Sequence, residues 1–85
     1  MKTVFKYPLA IIDDQHILIP GKPVLFKVGL DPSGALCVWT LLTPTDEPKR
    51  QRFFVVGTGR PVPADAYIWL GTVRDGDFMW HIFTP

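Results

Sequence analysis

Val24-Leu25-Phe26-Lys27-Val28-Gly29-Leu30-Asp31-Pro32-Ser33-Gly34-Ala35-Leu36-Cys37-Val38-Trp39-Thr40-Leu41-Leu42 is the stretch that decides the fold. Two runs rich in β-branched and aromatic residues flank Asp31-Pro32-Ser33-Gly34. In that tetrapeptide the proline presets one backbone angle, the glycine tolerates a left-handed one, and the aspartate can hydrogen-bond the backbone just ahead of it. The stretch therefore reads as a β-hairpin, with strand Val24 to Leu30 turning into strand Ala35 to Leu42.

The same pattern extends in both directions. Nine prolines and seven glycines cut the 85 residues into short pieces rich in Val, Ile, Phe, Trp and Tyr, which is how strands punctuated by turns look in sequence. Upstream, Thr3 to Lys6 is a short strand stopped by Pro8. Gln15 to Ile19 is a second, bounded by Asp13-Asp14 and Pro20-Gly21. Downstream, the polar loop Thr43 to Pro48 leads into a strand from Arg50 to Val56. A long connection, Gly57 to Ala66, reaches a strand from Tyr67 to Val73, and Arg74-Asp75-Gly76-Asp77 turns it back into Phe78 to Phe83. No segment carries a helical period, and Pro63 to Ala66 offers at most one turn. The chain reads as one all-β domain over residues 1–85. It has six to seven short, mostly antiparallel strands in a small barrel or sandwich, with little or no helix.

A chain this short buries only about 60–65% of the surface its unfolded form exposes, so its stability margin is thin. Covalent and metal staples are not in view. Cys37 is the only cysteine and cannot form an internal disulfide, and one cysteine with two histidines does not make a structural zinc site. No metal or cofactor is expected. The hydrophobic fraction of 47% and aromatic fraction of 13% are rich for so small a domain and hint at an interface. A net charge of +1 gives no electrostatic footprint for double-stranded nucleic acid or an anionic membrane. The opening Met1 to Lys6 lacks the apolar run of a signal peptide, and no stretch approaches the roughly 20 apolar residues that span a bilayer. Together with the lone thiol, this predicts a soluble protein of the cytoplasm.

The two faces of the strands sharpen the hint of an interface. Leu36, Val38 and Leu42 face one way while Cys37, Trp39 and Leu41 face the other. Tyr67, Trp69 and Val73 oppose Ile68 and Leu70, and Phe78, Trp80 and Ile82 oppose Met79, His81 and Phe83. Strands apolar on both faces need cover on both, and no helix is present to give it. Either a homo-oligomer buries the second face, with Trp69, Phe78, Trp80, His81 and Phe83 at the interface, or the loops Thr43 to Pro48 and Pro61 to Ala66 fold back over it.

One motif could carry chemistry, Gly57-Thr58-Gly59-Arg60. Glycines let a backbone approach a ligand closely, successive amides in a turn can cradle an anion, and arginine adds a bidentate donor. The spacing is not that of a Walker loop, and no helix follows as in a dinucleotide fingerprint, so a plain glycine turn is the simpler reading and a ligand contact the alternative. Lys49-Arg50-Gln51-Arg52 is the only charge run. It reads as a solvated strand end, or, with Arg60 and the aromatics Phe53, Trp39 and Tyr67, as the flank of a nucleotide pocket in which rings hold a base and arginines hold phosphates. His16 and His81 have no partner at metal-ligand spacing, and His81 between Trp80 and Ile82 reads as a core or interface histidine. The acids Asp13-Asp14, Asp46-Glu47, Asp65, Asp75 and Asp77 fall in turns, where carboxylates bond nearby backbone; Asp75 and Asp77 could instead form a carboxylate pair or metal site. Cys37 reads as a buried, inert thiol. No nucleophile, base and orienting group can be named together, so no catalytic residue is assigned and an enzyme is not expected.

Met1-Lys2-Thr3-Val4-Phe5-Lys6-Tyr7-Pro8-Leu9, Cys37-Val38-Trp39, Phe54-x-Val56-Gly57-Thr58-Gly59-x-Pro61, and Leu70-Gly71-Thr72-Val73 with Trp80-His81-Ile82-Phe83 together resemble a family of small phage and prophage proteins of uncharacterised function. The resemblance covers nearly the whole chain and implies a viral origin and a small accessory role, with no catalytic residues to carry over. Small phage accessory proteins often antagonise host defence, by sequestering a signal nucleotide or by blocking a protein. The first reading expects an oligomer holding a nucleotide at Gly57, Thr58, Gly59, Arg60, Arg50, Arg52, Trp39 and Tyr67. The second expects an apolar β-face that binds a host defence or phage protein.

Overall fold

A computed structural model describes all residues, Met1–Pro85. It contains seven strands and no helix: β1 (Thr3–Pro8), β2 (Gln15–Ile19), β3 (Pro23–Leu30), β4 (Leu36–Leu42), β5 (Lys49–Gly57), β6 (Ile68–Asp75) and β7 (Phe78–Thr84). Every pairing is antiparallel. The strands form two sheets, β1-β4-β3 and β2-β5-β7-β6, which pack face to face. They do not close into a barrel, so of the two architectures open to the sequence the sandwich is the one formed.

The β3–β4 hairpin forms where its turn chemistry places it. Asp31 Oδ1 accepts the backbone N–H groups of Ser33 at 2.9 Å and Ala35 at 3.0 Å and the Ser33 hydroxyl at 2.6 Å. Its Oδ2 accepts Lys6 Nζ of β1 at 2.9 Å. Gly34 takes a left-handed φ of 85°, which a side chain would strain. These donors hold the Asp31 carboxyl well below the usual carboxylate range, and the Ser33 and Lys6 side chains contribute most.

Between the sheets, Leu36 and Val38 of β4 meet Phe53 and Val55 of β5, with Val73, Ile82 and Leu9 completing the core. The Phe26 ring of β3 stands edge-on to Phe53, with centroids 5.2 Å apart and planes at 77°, so the aromatic pair bridges the two sheets. Cys37 is buried on the outer face of β4, and that burial pushes its thiol up.

Strand β6 departs from simple alternation. It pairs Trp69 with Phe83 and Gly71 with Ile82, so Leu70 is an extra residue in the ladder. This bulge reverses the phase of the strand. Trp69 turns outward, whereas Val73 turns into the core, correcting the expectation that the two share a face. Gly71 follows the bulge at the point where β6 meets β3. A Cβ there would stand 2.9 Å from Val28 Cγ2, so the close approach of the two strands needs glycine.

The second face of β5 is covered by the chain itself. Phe54 and Val56 are 0% and 2% exposed although they point away from the core. Residues 57–66 cross over them. Asp65 bonds Arg52 Nη1, and the Arg52 guanidinium lies 4.7 Å above the Phe54 ring. The loop of residues 43–48, expected to share this role, stays exposed and is tied to Pro20 by the Thr45 N–H at 2.6 Å.

Phe53→Ala should cost about 3–5 kcal/mol, because it empties the centre of the only core. In a domain of this size that is most of the stability, and urea melts measure it. Asp14 and Asp31 are held below the ordinary 3.8 by donors present only in the folded state. They therefore favour folding above that pH and cease to do so as acid protonates them. The melting temperature should fall from about pH 4 downward, and Asp31→Asn should flatten that acid limb.

Candidate functional site

The turn at residues 57–60 is first of all a turn. The Arg60 N–H donates to the Gly57 carbonyl at 3.1 Å, and Gly59 takes the left-handed φ of 84° that such a turn requires. Gly57 is small for a different reason. A Cβ on it would approach Trp80 Cζ3 to 3.3 Å, so the indole lies directly against its backbone.

Two clefts open on either side of this turn. The larger, of about 600 Å³, continues the core face of β5 and β7 beyond the packed interior. Val55, Gly57, Phe78 and Trp80 wall it, and Ile11, Asp13, Thr58, Arg60, Asp77 and Met79 form its rim. Phe78 and Trp80 stack nearly parallel, with centroids 5.6 Å apart and planes at 14°. The Trp80 Nε1–H points to Asp75 Oδ2 at 3.4 Å, which orients the indole. The smaller cleft, of about 240 Å³, lies on the outer face. Val56, Trp69, His81 and Phe83 floor it, and Val62 and the turn close it over.

His81 links the turn to the sheet. Its Nε2 lies 2.8 Å from Thr58 Oγ1 and its Nδ1 lies 2.9 Å from Thr72 Oγ1 of β6, while Trp69 stands edge-on at 5.6 Å. Both ring nitrogens are satisfied by hydroxyls, so the side chain acts as a strut between the turn and β6.

Some of the residues singled out from sequence converge here. Gly57, Thr58, Gly59 and Arg60 line the clefts, and so do Trp69, Phe78, Trp80, His81 and Phe83, which were assigned to a subunit interface. Four others do not. Arg52 is fully engaged, with Nε and Nη2 bonding both carboxylate oxygens of Asp14 at 2.8 and 2.6 Å and Nη1 bonding Asp65. These carboxylates hold its guanidinium well above the usual range, Asp14 most strongly. A phosphate would have to displace two carboxylates to reach it. Arg50, opposite Leu18 of β2, is exposed and lines neither cleft. Trp39 lies on the outer face of the other sheet, between Lys6 and Lys27. Tyr67 is 80% exposed just before β6, with only its backbone N–H engaged, at the Thr84 carbonyl. The arginine and aromatic cluster read from the Lys49 to Arg52 run is thus dispersed by the fold.

Conversely, Ile11 and Asp13, given no binding role by the sequence, reach the rim of the larger cleft, and so does Asp77. Each reads locally as turn or loop chemistry, and no local signal marks the juxtaposition. The pair or metal site open to Asp75 and Asp77 does not form, because Asp75 faces the Trp80 indole N–H and no set of metal-ligating side chains gathers there. Arg60 is the one cation on either cleft and takes part in none of the ion pairs, which use Lys6 and Arg52.

Fold and clefts together define a small two-sheet β-sandwich with aromatic-walled clefts beside a glycine turn. The chain belongs to the family described as Domain of unknown function (DUF7352), which matches residues 1–85. No curated protein and no solved structure matches it.

Gly59→Ala should destabilise the domain by about 1–2 kcal/mol, the cost of a side chain in the left-handed region. Arg60→Ala should change stability by less than about 0.5 kcal/mol, since it removes no ion pair. Paired urea melts separate a residue that makes the turn from one that only decorates it.

Proposed function

We propose that this protein works by binding rather than catalysis, as a small accessory protein that docks a partner protein on the aromatic end around residues 57–60. The observation that carries the reading is the exposure of Phe78 and Trp69, 63% and 62%, on the two sides of the turn. Val62, Met79 and Ile11 are exposed beside them. Other exposed apolar side chains, such as Val4, Leu18 and Val24, are aliphatic and line neither cleft, whereas these large rings stand in water at the two clefts. Clustered exposed aromatics are the usual anchors of protein interfaces. The resemblance to phage and prophage proteins supports a host cytoplasmic setting and a host defence protein as the partner blocked.

The rival reading, sequestration of a nucleotide signal, draws support from the larger cleft. Its 600 Å³ is within the range of small-molecule sites, and Arg60 is unpaired. It is disfavoured by charge, because a phosphate there would meet Asp13 and Asp77 as well as Arg60. A second copy of the chain is a further candidate occupant of the aromatic surface, which light scattering tests directly.

A photo-crosslinking residue at position 78, introduced in the native host, should trap one dominant protein. The same residue at position 4, on the other sheet, should not. Trapping of a second copy alone, together with a dimer by light scattering, would replace the host partner with self-association. A melting temperature raised by one nucleotide class, with nothing trapped, would overturn the reading in favour of sequestration.

A further inference from the structure

We infer that the larger cleft is a seat for an arginine side chain of the partner. The inference rests on the docking reading above and adds the chemistry of the contact.

Three observations converge on a planar cation. The first is the platform. Phe78 and Trp80 stack almost parallel, and Phe78 leaves most of its surface in water. The platform is held in place, because Trp80 lies against the backbone of Gly57 and directs its indole N–H at Asp75. The face of an aromatic ring carries negative potential and attracts cations. Stacked rings present the open face of the exposed Phe78 rather than a box, and a flat face suits a flat guanidinium better than a tetrahedral ammonium.

The second observation is the rim. Asp13 comes from the segment between β1 and β2, and Asp77 from the β6–β7 turn, so two distant parts of the chain bring carboxylates to one cleft. Neither takes part in an ion pair within the chain. A guanidinium lying on the platform keeps its N–H donors in plane, directed outward, where rim carboxylates can accept them.

The third is the sign of the charge. Two carboxylates against the one guanidinium of Arg60 leave a net charge of −1 around the cleft. Arg60 does not neutralise either acid, although all three line the same space. An incoming anion meets a repulsive majority, and an incoming cation an attractive one. Arg60 remains available for an acidic group beside the arginine in the same partner segment.

The test uses the intact chain and a defined probe, the capped tripeptide acetyl-Gly-Arg-Gly-amide. Controls replace the arginine with citrulline, which is flat and of similar size but uncharged, or with glutamate. The readout is the NMR shift of the Trp80 indole N–H, assigned by Trp80→Phe. The arginine peptide should move that resonance in a saturable way, and the citrulline peptide should bind at least about fivefold more weakly, as expected for loss of exposed charge contacts. Asp13→Asn and Asp77→Asn should each weaken the arginine peptide by about two- to fivefold while leaving the melting temperature unchanged. Equal binding of arginine and citrulline, preference for glutamate, or no movement of the Trp80 resonance would overturn the inference. The position-78 crosslink keeps the two readings apart. If the partner is still trapped at full yield by the Asp13→Asn/Asp77→Asn double variant, the docking reading stands and the arginine seat falls. If the arginine peptide binds as described but nothing is trapped in the host, the seat stands and the docking reading falls.

Discussion

Arg52 holds the arrangement on which both clefts depend. Strand β5 is staggered between its neighbours, pairing through residues 49–53 with β2 and through residues 54–57 with β7. Its outer face would lie open at Phe54 and Val56. Arg52 sits at the junction, lies over Phe54, and grips Asp14 before β2 with one edge of its guanidinium and Asp65 beyond the turn with a remaining nitrogen. Partly exposed ion pairs of this kind contribute little each to stability. Their effect here is positional. With Asp65 anchored to the sheet, residues 57–66 must run back across the outer face, and the turn at their start is left standing between two aromatic hollows.

The bulge at Leu70 sets the other wall. By reversing the phase of β6, it puts Trp69 beside Phe83, with rings 5.8 Å apart, and next to His81, while Val73 completes the core. His81 then joins β6 to the turn through Thr72 and Thr58. The outer cleft is therefore a product of one inserted residue, one histidine and one folded-back connection. Gly71, pressed against Val28 of the opposite sheet, fixes how near β6 stands to β3.

The aromatic richness of the chain divides between two uses. Phe53, Phe54 and Phe26 make the interior and its cover, which a domain with so little buried volume needs. Phe78, Trp80 and Trp69 gather instead around the turn, two of them largely in water. Placing carboxylates rather than a group of arginines beside those rings changes the chemistry of the surface. Around the larger cleft it makes a cation electrostatically more welcome than a phosphate.

Strand identity, the Asp31 hairpin, the two faces of β4 and β7, the burial of Cys37 and the turn at Gly57 to Arg60 were all determined by the sequence itself. Each rests on local physics: period-two alternation, β-branched and aromatic composition, and the backbone angles that glycine and proline allow. The tertiary structure decided the rest. Asp14 lies 38 residues from the arginine it binds, and Asp65 lies 13 residues from it, so no local pattern reveals that Arg52 is taken. The bulge in β6 depends on the register of β7, and so the faces of Trp69 and Val73 could not be read from alternation. Trp39, which looked like a neighbour of the basic run, belongs to the other sheet. Asp13 and Asp77, which looked like separate turn residues, share one cleft. Which side chains form a strand is a short-range matter, but which ones meet is set by how two sheets pack and where a connection is tied down.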